Sequence, residues 1–157
     1  MFSVIFPGQG SQIVGMGKEF YEKFDFVKNL FKEADETLNF PISKLILDGP
    51  KDELDLTINT QPAIFLISYS IFNIVKNEFN IDLTRAKYFA GHSLGEYSAL
   101  SSAGYLDFSN TLKILRVRGD AMQNSVPKGQ GGMVAVLGST VDVIEKILTE
   151  HKENLKA

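Results

Sequence analysis

The sequence predicts an α/β fold from two observations. Three short segments rich in β-branched or aromatic residues have the character of strands: Ser3 to Phe6, Lys87 to Ala90 and Met133 to Leu137. Each is followed by a glycine-containing turn and then by apolar residues at helical spacing. The chain has 157 residues, 44% of them hydrophobic, which is enough to bury one sizeable core. Alternation of strand, turn and helix is typical of α/β proteins.

Between the first two strands, the pattern predicts three helices, at Lys18 to Phe24, Phe26 to Leu38 and Pro62 to about Phe79. Pro62 suits the first turn of the last helix, because proline has no N–H and the first N–H groups of a helix make no intrahelical bond. This helix is apolar on most of its sides. We therefore expect it to be covered on both faces, in the middle of the domain.

A subdomain junction is predicted at Lys128 to Gly132, where a glycine-rich segment follows the last residues with helical pattern. The predicted organisation is the N-terminal part of a large subdomain at residues 1–127 and a second unit at residues 128–157. One strand and one helix cannot bury their own apolar faces, so we expect the second unit to be incomplete.

The helix predicted in the second unit is amphipathic and runs from Val141 to about Glu153. Ser139 and Asp142 have the spacing of a capping box, in which each side chain bonds to the backbone N–H of the other residue. The sequence therefore predicts that Ser139 caps this helix.

Composition and charge exclude several classes of protein. The net charge is −3 and the basic residues are scattered, so nucleic-acid binding is not expected. There is no cysteine, which excludes disulfides and thiolate metal sites within this chain, and we predict no metal site. The apolar start, Met1 to Pro7, has no preceding basic residue and is interpreted as a strand rather than a signal peptide. The most apolar stretch, Ala63 to Val75, is shorter than the ~20 residues that cross a bilayer, so we expect no membrane segment and a cytoplasmic protein.

The pattern Gly-x-Ser-x-Gly occupies residues 91–95, with Ser93 at its centre. It stands between the strand at Lys87 to Ala90 and a predicted helix, Glu96 to Ala103, that Gly104 can end. This is the context of a nucleophile elbow, whose tight turn needs small residues two before and two after the serine. The N–H groups that begin the helix favour the oxyanion formed in acyl transfer. The alternative is a glycine-rich turn in which Ser93 only caps the helix.

Neither histidine of the chain is predicted to activate this serine, although histidine is the usual base. His92 is adjacent to Ser93, and neighbours on a sharp turn point in different directions, so His92 is expected to fix the turn by hydrogen bonds. His151 lies among charged residues and is expected to face solvent.

Asp107 is a good N-cap for a helix from about Phe108 to Gln123. At 100° per residue, Arg116 falls on the polar face of this helix, whereas Arg118 falls inside its apolar arc. The other members of the arc are Leu112, Ile114, Val117, Ala121 and Met122. A guanidinium inside the protein needs an anion. That anion is either an Asp or Glu of the protein or a carboxylate of a substrate, and sequence geometry leaves both open.

A second glycine-rich loop, Phe6 to Gln12, follows the first strand. A dinucleotide fingerprint would need glycine or alanine in place of Ile13, and a phosphate loop would need glycine in place of Gln12 and serine or threonine in place of Glu19. Nucleotide binding is therefore not predicted. The glycines let the backbone approach a neighbour closely, with Gln9 held between them.

Four segments, in this order, resemble the malonyl-CoA:acyl carrier protein transacylases of fatty acid synthesis: Phe6 to Gln12, Thr60 to Ala63, Gly91 to Leu100 and Arg118-Gly119. The resemblance runs from Met1 to Leu137. It implies an α/β-hydrolase-like large subdomain, incomplete in this chain, followed by the start of a ferredoxin-like small subdomain.

The resemblance also implies a ping-pong reaction, in which malonyl-CoA acylates Ser93 and the phosphopantetheine thiol of an acyl carrier protein then takes the malonyl group. The backbone N–H groups of Gln9 and Leu94 would hold the oxyanion, and Arg118 would pair with the free carboxylate of the malonyl group. No bound cofactor is implied. The expected partners are malonyl-CoA and acyl carrier protein, and the complete enzyme is expected to be monomeric.

Members of this family are considerably longer, and their catalytic histidine lies well downstream of the serine, on a segment that this chain does not contain. We therefore expect a truncated transacylase that is inactive alone. Three alternatives remain. They are an acyltransferase domain of a polyketide synthase, which shares these motifs but which a chain starting directly on the first strand disfavours; a serine hydrolase with the same turn; and a non-catalytic fragment that binds acyl carrier protein.

Overall fold

The computed structural model describes residues 1–79, 81–125, 130, 134 and 136–151. The chain divides into two compact units, Met1–Gln123 and Asn124–Ala157. The first unit is a helix-rich α/β arrangement, as the strand–turn–helix pattern predicted. Its elements in chain order are β1 (Ser3–Phe6), α1 (Lys18–Lys23), α2 (Asp25–Leu38), α3 (Ile42–Asp48), α4 (Lys51–Leu54), α5 (Thr57–Glu78), a 3₁₀ turn (Leu83–Arg85), β2 (Tyr88–Gly91), α6 (Gly95–Ser102) and α7 (Phe108–Gln123).

Strands β1 and β2 pair in parallel, with Ser3 opposite Tyr88 and Phe6 opposite Gly91. The N–H of His92 donates to the carbonyl of Phe6 at 3.1 Å, which continues the pairing one residue past β2. Because the strands are parallel, the loops that leave their carboxyl ends lie at the same edge of the sheet. Both glycine-rich loops are therefore brought together by the register of this one strand pair.

Helix α5 begins at Thr57, five residues before the predicted start, so Pro62 lies inside the helix rather than in its first turn. A proline in the interior leaves the carbonyl four residues earlier without its helical donor. That carbonyl belongs to Ile58, and it accepts a hydrogen bond from Arg116 Nη1 at 3.3 Å. The structure thus tolerates Pro62 because a side chain of α7 replaces the missing donor.

Helix α5, with 22 residues, is long and apolar enough to cross a membrane by length and composition alone. The apolar stretch predicted from sequence, Ala63 to Val75, was therefore too short. However, 67% of its most apolar window is buried inside the protein, as in the core helix of a soluble domain. The expectation that this helix is covered on both faces is confirmed. Twelve of its residues are buried, among them the polar side chains of Asn59, Thr60 and Gln61.

The main hydrophobic core lies where α2, α3, α5 and α7 meet. Its largest fully buried side chains include Phe31, Phe65, Leu66, Leu112 and Leu115. A smaller cluster, formed by Phe6, Phe72 and Ala99, lies between the sheet and the helices α5 and α6. Packing in these two clusters fixes α5 and α6, which carry residues around Ser93.

In the second unit, helix α8 (Val141–Glu150) follows Thr140, which is extended and makes no side-chain capping bond. The predicted capping box at Ser139 and Asp142 is therefore wrong. The helix starts one residue late for that box, so Asp142 is at its second position, not its third. No residue of α8 is buried.

Two other predictions for this region fall largely outside the described residues. Within the predicted third strand, Met133 and Ala135 are outside them, and Val134, Val136 and Leu137 do not adopt strand conformation. Of the predicted junction at Lys128 to Gly132, the structure describes only Gln130.

Candidate active site

Ser93 lies on a sharp turn between β2 and α6, as its sequence pattern predicted. Its φ angle is 55°, in the left-handed region that non-glycine residues avoid. This conformation costs roughly 1–2 kcal/mol, because it brings Cβ close to the backbone. Ser93 is half-buried at the carboxyl edge of the sheet.

The glycines on either side of Ser93 leave no room for a side chain. A Cβ on Gly91 would lie 1.9 Å from the carbonyl carbon of Gly95, and a Cβ on Gly95 would lie 2.6 Å from the carbonyl oxygen of Phe6. Real Cβ atoms do not approach backbone so closely. The prediction that the turn needs small residues two before and two after the serine is thus confirmed, and at both positions only glycine fits.

Helix α6 ends at Ser102, and Gly104 terminates it, as predicted. Gly104 has a φ of 85°, and its N–H donates to the carbonyl of Ser101 at 3.0 Å. The next N–H, of Tyr105, donates to the carbonyl of Leu100 at 2.9 Å. This pair of bonds is a Schellman motif, which glycine favours because it adopts a positive φ without strain.

Beyond Gly8, the loop that follows β1 is held by side-chain amides. Gln12 Oε1 accepts from the N–H of Gly10 at 2.8 Å, and Gln12 Nε2 donates to Asp55 Oδ1 at 2.9 Å. Gln9 Nε2 donates to Thr57 Oγ1 at 3.3 Å. Hydrogen bonds from Lys51 and then Gln12 lower the pKa of Asp55, so this carboxylate is charged when it braces the loop.

The two loops meet at Gly8 and His92. A Cβ on Gly8 would lie 2.4 Å from His92 Nδ1 and 2.8 Å from the His92 carbonyl oxygen. This close approach puts Gln9, the next residue, beside the Ser93 turn. Among the described residues, no hydrogen bond uses the backbone N–H of Gln9 or Leu94 as its donor. Leu94 is fully buried and immediately precedes α6.

Arg118 reaches this turn from α7. Its Nη1 donates to Gln61 Oε1 at 2.7 Å and its Nη2 donates to Ser93 Oγ at 3.2 Å. The guanidinium carbon lies 5.7 Å from the ring centroid of Tyr97, within the range of a cation–π contact. The prediction that Arg118 faces the protein is confirmed.

The side chains that contact Arg118, those of Gln61, Ser93 and Tyr97, are neutral. The sequence alone did not predict this. None of the salt bridges in the described part of the chain involves Arg118. Of the two alternatives left open by the sequence, a partner carboxylate within the protein is therefore not found in residues 1–79 and 81–125. The charge of Arg118 is unmatched beside a serine hydroxyl.

Arg116 does not point into solvent, so its predicted place on the polar face was wrong. It is half-buried, donates to the carbonyl of Ile58 and to Asn59 Oδ1, and lies 4.5 Å from the ring centroid of Phe40. Burial lowers the pKa of its guanidinium from the ordinary value, although Asp120 acts in the opposite direction. Helix α7 therefore uses both of its arginines against α5.

The buried face of α7 also differs from the predicted apolar arc. Its buried residues are Phe108, Thr111, Leu112, Leu115 and Gly119, whereas Ile114 and Val117 are 39% and 69% exposed. The cause is Gly119, on which a Cβ would lie 2.7 Å from Ile58 Cα. Close contact at this glycine rotates the helix, so Arg118 lies at one margin of the buried face and Arg116 at the other.

The predicted N-cap of α7 is confirmed. Asp107 Oδ1 accepts from the N–H of Asn110 at 2.8 Å, and this bond, followed by one from the Asn110 side chain, lowers the pKa of Asp107. The cap fixes the start of the helix that delivers Arg118.

No histidine is placed as a partner of Ser93 among the described residues. His92 is exposed and packs against Gly8 instead, and His151 follows α8 in the second unit. The described residues contain no cluster of three or more His, Cys, Asp or Glu side chains that could hold a metal ion. Gln61 and Gln12 were missed as site residues, since an uncharged amide gives no signal in sequence beyond membership of a motif.

A serine held at positive φ between a parallel strand and a helix, with backbone N–H groups and a cation beside it, is an arrangement suited to acyl chemistry in α/β proteins. The chain belongs to the acyl transferase domain family, whose model matches residues 3–152.

Similar proteins carry more specific names. The malonyl CoA-acyl carrier protein transacylase of Bacillus subtilis (strain 168) is 45% identical over 150 residues, which are 95% of this chain and 46% of the relative. The enzyme of the same name from Haemophilus influenzae is 42% identical over 152 residues, 97% of this chain and 48% of the relative. The chain thus spans about half the length of these relatives.

Solved structures agree with this assignment. The acyl-carrier-protein-S-malonyltransferase from Bartonella henselae superimposes with a TM-score of 0.88 at 39% identity, covering 98% of this chain and 49% of that one. A malonyl-transacylase in complex with a type II polyketide synthase acyl-carrier protein gives a TM-score of 0.84 at 35% identity, with 98% and 48% covered.

Proposed function

We propose that this chain is the N-terminal part of a malonyl-CoA:acyl carrier protein transacylase that carries the malonyl group on Ser93. The observation that supports this best is the pair Arg118 and Ser93. Arg118 is a cation without a carboxylate partner among the described residues, and it lies 3.2 Å from a hydroxyl on a strained turn. An acyl group with a free carboxylate supplies the missing anion. The names of the relatives supply the substrate class, malonyl-CoA, and the acceptor, an acyl carrier protein.

The reaction proceeds in two transfers at one serine. Ser93 Oγ loses its proton to a base and attacks the thioester carbonyl of malonyl-CoA, and the tetrahedral intermediate collapses with loss of the CoA thiolate, which takes up the proton. The phosphopantetheine thiol of the carrier then attacks the malonyl ester, and Ser93 leaves with its proton restored. Holding the serine on a turn at positive φ orients Oγ for both attacks.

Stabilisation of the oxyanion falls to the backbone N–H groups of Gln9 and Leu94. Neither N–H donates elsewhere among the described residues, so both are available to a ligand. Leu94 also immediately precedes α6, where the partial positive charge of the helix end favours an anion. Two such donors that need no reorganisation are the usual requirement for acyl transfer.

Arg118 selects the acyl group by its charge. A guanidinium binds a carboxylate through two parallel N–H bonds, a geometry that a lysine does not reproduce. With Nη1 on Gln61 and Nη2 beside Ser93 Oγ, a malonyl ester on Ser93 would place its carboxylate on the positive group. Acetyl esters lack this contact.

The base that activates Ser93 is proposed to lie outside residues 1–157, because His92 packs against Gly8 and His151 lies among charged residues at the end of α8. We further propose an α/β-hydrolase-like large subdomain through residue 127 and a ferredoxin-like small subdomain from residue 128. The complete protein is proposed to be cytoplasmic, monomeric and without a bound cofactor.

The carrier could belong to fatty acid or polyketide synthesis, and one similar structure is of a complex with a polyketide carrier. Transfer to purified carriers of each type distinguishes the two. Release of malonate into water, in place of transfer to a thiol, would instead indicate a hydrolase.

To test whether the chain needs a C-terminal half for activity, two proteins are compared. One is residues 1–157, and the other is a hybrid in which this chain is continued by the C-terminal half of the Bacillus subtilis relative. We expect no turnover of malonyl-CoA by the chain alone and malonyl transfer by the hybrid. A normal transfer rate by the chain alone would show that the base lies within it.

A further inference from the structure

We propose that Gln61 is the positioning and selectivity residue of the carboxylate site, a neutral acceptor that aims Arg118 at the acyl carboxylate without neutralising its charge. This inference rests on the proposed function of Arg118. The bond from Arg118 Nη1 to Gln61 Oε1 is 2.7 Å, shorter than the 3.2 Å bond from Nη2 to Ser93 Oγ. The arginine is thus held by Gln61 and only touches the serine.

The amide of Gln61 has one possible orientation. A guanidinium carries donors only, so the amide atom that faces Arg118 must be the oxygen. The amide nitrogen then faces Met122, and it lies 3.3 Å from the sulfur, a weak acceptor. Both ends of the amide are therefore engaged by residues of α7, one turn apart.

Gln61 cannot swing away from Arg118, because the side chain is fully buried and its helix is pinned on both sides. Asn59 Nδ2 donates to the carbonyl of Glu53 at 2.8 Å, which ties α5 to α4. On the other side, Gly119 brings α7 into backbone contact with Ile58. The positions of donor and acceptor are thus set by helix packing, before any substrate binds.

Neutrality of the acceptor is the selective feature. A carboxylate at this position would form an ion pair with Arg118 and remove its need for a substrate anion. Helix α5 presents neutral acceptors to the other arginine as well, since Arg116 donates to the Ile58 carbonyl and to Asn59 Oδ1. The α5 side of the interface thus orients two cations through neutral acceptors.

The experiment changes the charge of Gln61 in the full chain and keeps its shape. Gln61→Glu is the main variant. Gln61→Met removes the acceptor but adds no charge. Gln123→Glu is the matched control, because Gln123 lies at the same interface and its Oε1 accepts from the N–H of Thr57, a role that a carboxylate also fills. Circular dichroism melts verify that each variant is folded.

The measured quantity is the affinity for malonyl-CoA and for acetyl-CoA, and changes in the amide chemical shifts of α6 and α7 report the binding. For Gln61→Glu we expect malonyl-CoA affinity to fall about tenfold or more, the loss of one charged hydrogen bond, with acetyl-CoA affinity unchanged. Gln61→Met should lower the affinity for malonyl-CoA about threefold and leave the affinity for acetyl-CoA unchanged. Gln123→Glu should bind both thioesters as the wild type does. A purely structural role would weaken both thioesters equally.

Two results would overturn the inference, and they are distinguishable. A wild-type chain that binds both thioesters equally contradicts the carboxylate role of Arg118, and the inference fails with it. A wild type that prefers malonyl-CoA, combined with Gln61 variants that keep the same preference, contradicts the role of Gln61 and leaves the proposed function intact. If Gln61→Glu does not fold, the Gln61→Met result decides alone.

Discussion

The two glycine-rich loops at the edge of the sheet are rigid for different physical reasons. The turn at Gly91 to Gly95 is held by crowding, since a Cβ on either glycine would overlap backbone. In the loop that follows β1, Gly8 packs closely against His92, but the segment from Gly10 to Gln12 is held by amide side chains, and a Cβ on Gly10 would meet nothing within 4 Å. Ser93 is thus fixed by steric exclusion, whereas the neighbouring loop that carries Gln9 is fixed by hydrogen bonds that solvent and pH can disturb.

Adding one methyl group to the crowded turn should have the largest effect. In Gly95→Ala, the new Cβ would overlap the carbonyl oxygens of Phe6 and Pro7, so we expect a loss of about 3 kcal/mol in the free energy of unfolding. Urea denaturation of the chain measures it. Gly10→Ala is the control, whose positive φ alone should cost roughly 1–2 kcal/mol. Equal losses in the two variants would contradict the distinction between the loops.

The strained backbone at Ser93 allows its effect on stability to be measured apart from the role of the hydroxyl. Because φ is 55°, Ser93→Gly should be more stable than Ser93→Ala by about 1 kcal/mol, although both variants lack the hydroxyl. Thermal melts of the two variants give the difference, and both should be unlabelled by malonyl-CoA in the hybrid enzyme. A more stable alanine variant would mean that the turn relaxes to negative φ.

Loosening the amide-held loop should have a smaller effect on stability. Gln12→Leu removes the bonds to Gly10 and to Asp55, and we expect a loss of about 1 kcal/mol in the free energy of unfolding. In the hybrid enzyme, kcat should fall while KM for malonyl-CoA changes little, because the Gln9 N–H acts on the transition state. A fall in affinity with kcat unchanged would place Gln12 in substrate binding instead.

The smallest effect concerns the pH dependence of the same loop. The folded pKa of Asp55 is lowered, so its contribution to stability is complete above the unfolded carboxyl pKa, near pH 4, and disappears as pH falls through the folded value. Asp55→Asn should therefore flatten the stability profile of the chain below about pH 4. Denaturation midpoints at several pH values test this, and an unchanged acid slope would show that the charge of Asp55 does not brace the loop.

Much of the site was predictable because local rules governed it. The requirement for glycine at Gly91 arises within the turn itself, where a Cβ would overlap Gly95, and Asp107 caps its own helix. The errors arose where tertiary contacts override local pattern. Pro62 is tolerated inside α5 because Arg116 replaces its missing donor, and Gly119 rotates α7 away from the arc that hydrophobicity suggested.

The role of Gln61 illustrates what sequence reasoning could not reach. The apolar surroundings of Arg118 predicted that it needs an anion. Which side chain of the facing helix α5 reaches Arg118, however, depends on how α5 and α7 pack, and this was not predictable from the sequence. Only the structure brings Gln61 Oε1 to 2.7 Å from Arg118. An acidic residue would have been noticed in the sequence as a partner, whereas a neutral amide was not.

The most direct test compares malonyl with acetyl transfer from CoA to acyl carrier protein by the hybrid enzyme and its Arg118→Ala variant. Arg85→Ala, which removes an exposed positive charge on the 3₁₀ turn, is the control. We predict that Arg118→Ala lowers kcat/KM for malonyl-CoA by about a hundredfold relative to acetyl-CoA, the value of one buried charged contact. Equal losses with both substrates would contradict the carboxylate role and leave Arg118 as a structural residue.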